Sequence, residues 1–281
     1  MVAAPDPTAA ATWLAVDVGN SRVKFGVFSV TSHDRLPECS LFLTAPIDGQ
    51  IDWAQLRKTL GADAFCSVVV GSNQEGVDGV LAAWPDNLQP VSRIVFRDSL
   101  RFPIEICVDS PRRVGMDRLL TAIAVNRLRT PGMAAIVVDC GTATTVDIVS
   151  ENGWFVGGAI LPGFELCAKA LNHYTEVLPL VTIEELTATD SLGRHPALGE
   201  NTQAAISSGI FWGQVGAVRE LIAQQSAYCW QETPPQVFVT GGGGKLLSPF
   251  LDQSRHYPYL ALQGLVIAAQ EQSRHAPDKD G

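Results

Sequence analysis

Two stretches of this chain bring a carboxylate, a glycine and small polar side chains together between β-prone segments. The first is Asp17-Val18-Gly19-Asn20-Ser21-Arg22-Val23-Lys24, within an apolar run over residues 13–30. If Asn20 and Ser21 form a two-residue loop, constant register sets Gly19 opposite Arg22, Val18 opposite Val23 and Asp17 opposite Lys24. A carboxylate orients hydrated Mg²⁺, an ammonium neutralises phosphate, and turn N–H groups approach a ligand closely, so the stretch reads as a polyphosphate clamp. An edge hairpin with a cross-strand Asp/Lys pair is the plainer alternative, and the rest of the chain must decide.

The second stretch, Asp139-Cys140-Gly141-Thr142-Ala143-Thr144, repeats the theme inside another strand-turn-strand run over residues 134–149. Two such hairpins facing each other can grip a nucleotide, each Asp giving oxygen to a cation and each turn contacting phosphate. A third motif, Gly115-Met116-Asp117-Arg118, opens a helix predicted over residues 113–129. The helix dipole favours a carboxylate in that first turn, which keeps Asp117 ionised and able to accept a proton, and Arg118 suits a substrate carboxylate. Glycines at 157–158 and 163 allow close backbone approach, to a ligand or in tight packing, while the four at 241–244, after a strand and before a helix, favour a flat adenosine or phosphate lying against bare backbone over a flexible turn. Asn201 or Thr202 caps a long helix expected over residues 203–230, whose small residues let another element approach.

The elements that must position these groups alternate in type. Strands are expected at 39–44, 65–70, 91–96 and 104–108, and helices at 52–60, capped by Asp52, and 75–84, ended by Pro85. After a break at 130–132 come the second hairpin, a strand over 154–161, helices at 164–174 and 203–230, a strand at 236–240 and a last helix at 259–270. This is an α/β pattern with parallel members. It divides into an N-terminal domain at 13–130 and a C-terminal one at 131–272, with residues 1–12 and 273–281 read as disordered ends.

Composition narrows the function. The chain has 281 residues, 46% of them hydrophobic, enough for two modest cores. Charged residues are only 17% and the net charge is −9, which argues against an extended nucleic-acid surface. No apolar run reaches the roughly 20 residues of a membrane span, and the N-terminal segment lacks the pattern of a signal peptide. Six scattered cysteines read as free thiols of a cytoplasmic protein, and five unclustered histidines support neither a zinc site nor a Ser-His-Asp hydrolase.

Taken in order, these motifs, with Gly157-Gly158-Ala159-Ile160, Pro162-Gly163 and Asn201-Thr202, resemble type III pantothenate kinase from about residue 13 to 270. The resemblance implies two ribonuclease H-like lobes of the acetate and sugar kinase, Hsp70 and actin superfamily, with a nucleotide cleft between them. It implies ATP-dependent phosphorylation of pantothenate, the first step towards coenzyme A, in a homodimer. By position, Asp117 matches the proton acceptor and Gly115, Met116, Asp117 and Arg118 the pantothenate contact. The run from Asp17 through Val18, Gly19, Asn20, Ser21, Arg22 and Val23 to Lys24 matches the ATP phosphate segment, with Asp17 near Mg²⁺, through water. Asp139 resembles the ligand of a monovalent cation, K⁺ or NH₄⁺, Thr142 a further ATP contact and Thr202 a pantothenate contact. Ser21 replaces a usual Thr, and Val108 stands where a substrate-touching Tyr is common. Two alternatives remain: a non-catalytic regulator of the Bvg accessory factor type, and a kinase of the same superfamily for another hydroxylated substrate.

Overall fold

The computed structural model of the chain describes residues 11–32, 35–61, 64–189, 194–229 and 233–275. By its internal contacts the chain divides into two units, one running to Leu128 and taking in the segment from Tyr259 onward, the other Arg129–Pro258.

The first unit is built on strands β1 (Ala11–Val18), β2 (Arg22–Val30), β3 (Glu38–Pro46), β4 (Phe65–Gly71) and β5 (Ser92–Phe96), ordered β3-β2-β1-β4-β5. The first three run antiparallel, and β4 and β5 are parallel to β1. Helices α1 (Trp53–Leu60) and α2 (Gln74–Ala82) connect them. Asp52 caps α1 by accepting the Gln55 N–H at 2.9 Å, and Asn73 caps α2 through the Gly76 N–H.

Period-two alternation sorts β1 into two faces. Leu14, Val16 and Val18 enter a core with Leu56, Leu60, Val77 and Val80 of α1 and α2. Ala15 and Asp17 therefore face the other side, where β1 meets α8 (Leu260–His275), the helix that packs most extensively on α3 (Met116–Asn126). Close approach of these two helices rests on Gly264, where a Cβ would run into the Leu120 carbonyl.

The second unit repeats the design with β6 (Ala135–Cys140), β7 (Ala143–Val149), β8 (Phe155–Pro162), β9 (Gln236–Thr240) and β10 (Arg255–His256), ordered β10-β9-β6-β7-β8. Read from the other edge, the order and strand directions match those of the first sheet, with β6 in the place of β1. Both units thus have the ribonuclease H-like sheet that the resemblance implies. Helices α4 (Phe164–His173), α5 (Ile183–Leu186), α6 (Thr202–Cys229) and α7 (Gly244–Leu247) complete the unit. Phe211, Val215 and Val218 of α6 pack with Ile136, Val138 and Val146 of the sheet.

Three expectations change. Residues 104–108 form no strand beyond a single bridge at Ile106, because Pro103 and Pro111 bracket a segment too short to pair. The following helix starts at Met116 rather than 113, after a single 3-10 turn at Pro111–Arg113. The last helix, assigned to the second lobe by its place in the chain, packs with the first and continues to His275, so residues 273–275 are helical. The ends read as disordered lie otherwise outside the described residues, except that Ala11 and Thr12 already belong to β1.

Candidate functional site

The hairpin of the first unit has the register that the loop length dictates: Asp17 pairs with Lys24, Val18 with Val23, and the Gly19 N–H donates to the Arg22 carbonyl at 3.0 Å. Asn20, Ser21 and Arg22 are exposed at the tip. Lys24 Nζ lies 3.4 Å from Asp17 Oδ2, with the Lys side chain 43% exposed and the Asp side chain 11%. Gly71 and Gly76 lean on Val18, and the Ser72 hydroxyl donates to Asn20 Oδ1 at 3.5 Å, so the start of α2 supports the turn.

Burial raises the Asp17 carboxyl above its ordinary value; the Lys24 ammonium pulls it down and the Asp117 carboxylate pushes it up. The structure thus places Lys24 and Asp117 each within electrostatic reach of Asp17 inside a single unit. Asp117 is exposed in the first turn of α3, where its Oδ1 accepts the Arg118 N–H at 2.9 Å. Gly115 closes over it: a Cβ there would sit 2.5 Å from Asp117 Oδ1. Val108 is half-buried on the irregular segment upstream. A groove of about 400 Å³, lined by Leu100, Ser110, Pro111, Arg112 and Arg113, opens on the same segment.

In the second unit the matching hairpin is one residue tighter. Asp139 pairs with Thr145 and Cys140 with Thr144, so no ammonium stands opposite the carboxylate as Lys24 does in the first. Thr142 is exposed at the tip, and its carbonyl accepts the Gly163 N–H at 3.0 Å. The glycines singled out in the sequence converge here on neighbouring chain. A Cβ at Gly158 would strike Asp147 and the Val146 carbonyl, one at Gly163 the Gly141 and Thr142 carbonyls, and one at Gly241 the Asp139 carboxylate. Gly241 also has φ +84°, a conformation that favours glycine. Gly242, by contrast, faces open space.

Thr202 is exposed at the first position of α6, and Asn201 is the cap, accepting the Ala204 N–H at 2.9 Å. The candidates thus fall into two groups, Asp17 to Lys24 with Gly115 to Arg118 in the first unit, and Asp139, Thr142 and Thr202 in the second. Sequence reading passed over Gln214, which lies 4% exposed in α6 and bonds to both β7 and the end of β8. A lone Gln in a long helix carries no signal of its own.

All six cysteines are free thiols. No group of three or more His, Cys, Asp or Glu side chains suited to a metal occurs among the described residues, and no helix among them is long and apolar enough to cross a membrane.

A type III pantothenate kinase of Dehalococcoides mccartyi (strain CBDB1) is 34% identical over 277 residues, covering 92% of this chain and 95% of the relative. One from Cereibacter sphaeroides is 36% identical over 278 residues, covering 92% and 97%. Among solved structures, a conserved Campylobacter jejuni protein assigned to the Baf family of transcriptional activators superposes with a TM-score of 0.57 at 20% identity, over 93% of this chain and 99% of that one. That likeness speaks for the fold alone. The sequence profile described as type III pantothenate kinase matches residues 13–224, which include both hairpins, the Gly115–Arg118 motif and Thr202, and the chain belongs to that family.

Proposed function

We propose that the chain transfers the γ-phosphoryl group of ATP to the primary hydroxyl of pantothenate, giving 4'-phosphopantothenate and ADP in the cytoplasm, as the first step towards coenzyme A. The observation that carries this reading is the grouping of Asp17, Lys24 and Asp117 in one unit of a chain whose relatives are named type III pantothenate kinases. Asp117 accepts the hydroxyl proton as the oxygen attacks the γ-phosphorus. The bond to the bridging oxygen breaks, and ADP leaves with the electron pair. Lys24 and the N–H groups of the Gly19 to Ser21 turn neutralise and orient the phosphates, which is most of what phosphoryl transfer asks of a protein. Arg118, with Arg112 and Arg113 beside the groove, supplies positive charge for the pantothenate carboxylate.

The residues present fit the two cations that the family implies. Asp17 is a mostly buried carboxylate at the hairpin with Asp117 within electrostatic reach, a sparse donor set that suits Mg²⁺ held chiefly by water and phosphate oxygens rather than by a protein cage. Asp139 stands beside the exposed second turn with its carboxylate packed against Gly241, and it is the oxygen donor that would hold K⁺ or NH₄⁺ there. Bound Mg²⁺ offsets the charge of the donor phosphates. A homodimer is part of the same reading: the second unit exposes the apolar side chains of Ile160, Tyr174, Val177 and Leu198, which a second copy can cover.

The test is ADP release, coupled to a reporter enzyme, with pantothenate, Mg²⁺ and K⁺. The wild-type chain is expected to release ADP only when pantothenate is present. A regulatory protein of the same fold gives none, and a kinase for another substrate answers to sugars or acetate instead. In that assay Gly115→Ala is expected to lower kcat about ten- to a hundredfold by displacing the Asp117 carboxylate, since an error near 1 Å is enough. Its unfolding midpoint should match wild type, because Gly115 is exposed and its φ of −57° is open to alanine.

A further inference from the structure

Gln214 occupies a position that packing alone would give to an apolar residue. Its helix neighbours Phe211, Val215 and Val218 are all buried in the second unit's core. A buried amide costs stability unless every polar atom is partnered, so a leucine or methionine would be the simpler choice for the core. Here the amide is partnered on both ends. Its Oε1 accepts from Thr144 Oγ1 at 3.1 Å, and its Nε2 donates to the Pro162 carbonyl at 2.6 Å.

Those two partners flank one turn. Thr144 is fully buried and pairs with Cys140 across the hairpin that carries Gly141 and Thr142. Pro162 ends β8, and the next residue, Gly163, donates its N–H to the Thr142 carbonyl at 3.0 Å and caps α4. One side chain therefore ties the strand leaving the turn to the segment braced against it. Satisfied buried networks of this kind fix one arrangement where an apolar contact tolerates several.

We infer that Gln214 is a positioning residue for the nucleotide, holding the Gly141–Thr142 turn in register with the start of α4; this rests on the reading of Thr142 as an ATP contact. The residue touches no reacting atom and acts through the turn.

The test uses the full chain and two substitutions. Gln214→Glu keeps an acceptor for Thr144 but sets a carboxylate oxygen against the Pro162 carbonyl, and Gln214→Met removes both bonds at similar volume. Titration calorimetry with Mg·ADP and steady-state kinetics with each substrate varied are compared with thermal unfolding. Both substitutions are expected to weaken ADP binding and raise the KM for ATP about tenfold, the scale of one lost buried hydrogen bond, with the KM for pantothenate near wild type. If Gln214→Glu does not fold, Gln214→Met carries the measurement. Unchanged ADP binding in a folded variant overturns the inference. So does a parallel rise in both KM values, which would assign Gln214 to the stability of the unit. Failure of the wild-type chain to bind ADP would instead overturn the nucleotide reading beneath it.

Discussion

Asp117→Asn is expected to lower kcat about 10²-fold or more while leaving the KM for ATP and the unfolding midpoint near their wild-type values. The substitution is nearly isosteric, and the asparagine Oδ1 can still accept the Arg118 N–H that the carboxylate accepts now. What it removes is a negative charge and the ability to take a proton. The side chain is exposed in the first turn of α3, so the fold loses only a favourable dipole contact of about 0.3–1 kcal/mol. Steady-state kinetics beside a thermal melt separate the two effects. A variant turning over near the wild-type rate would show that the hydroxyl loses its proton without help from Asp117, leaving that residue only a role in orienting substrate.

Much of the first hairpin was legible because a two-residue loop leaves no freedom in register. Once Asn20 and Ser21 are at the tip, Asp17 must meet Lys24, as it does. The Asp52 cap was legible for a similar reason, since the side chain serves an N–H only three residues away. Long-range facts were not. The second hairpin shares the Asp, Gly and small polar residues of the first but has no basic residue, and its loop is one residue tighter, which sets Asp139 opposite Thr145 rather than Val146. The last helix follows the second sheet in the chain yet packs on α3, through a glycine whose partner lies more than a hundred residues earlier. Gln214 has partners 70 and 52 residues away, and no local pattern announces either.

The glycine runs, expected partly for closeness to a ligand, have a cause in packing. Gly158, Gly163 and Gly241 are each required by neighbouring protein. Yet Gly163 and Gly241 bring α4 and the end of β9 against the Asp139 to Thr142 turn, so they shape the candidate site by packing. The matching strand order of the two sheets gives the same logic to both units: the first strand of each carries an aspartate one residue before its end at a turn, with the parallel neighbour beside it. Only the first unit adds an ammonium across the hairpin. That asymmetry motivates the proposal of a donor-phosphate role for the first turn and a cation role for Asp139.

Asp17→Asn is the sharper test of that assignment, because structure and function pull in opposite directions. Burial raises the carboxyl above its ordinary value of 3.8, with Asp117 adding to the rise and Lys24 opposing it. A folded-state pKa above the unfolded one means that the native chain holds the proton more tightly. The stabilising contribution is thus complete below 3.8 and is lost as pH climbs through the raised value. As pH rises from 3.8 towards neutral, this carboxyl therefore becomes a growing cost to the fold. An asparagine removes that cost, and Lys24, 43% exposed, keeps its water. The variant is therefore expected to melt at or above the wild-type midpoint at about pH 7, with a flatter dependence of stability on pH over the acid-to-neutral range. Its kcat should nonetheless fall about 10²-fold, the loss typical of removing one preorganised charged or hydrogen-bonding group from a reacting centre. Melting curves across pH and the ADP-release assay read the two effects separately. A destabilised variant with normal turnover would reduce Asp17 and Lys24 to a structural cross-strand pair.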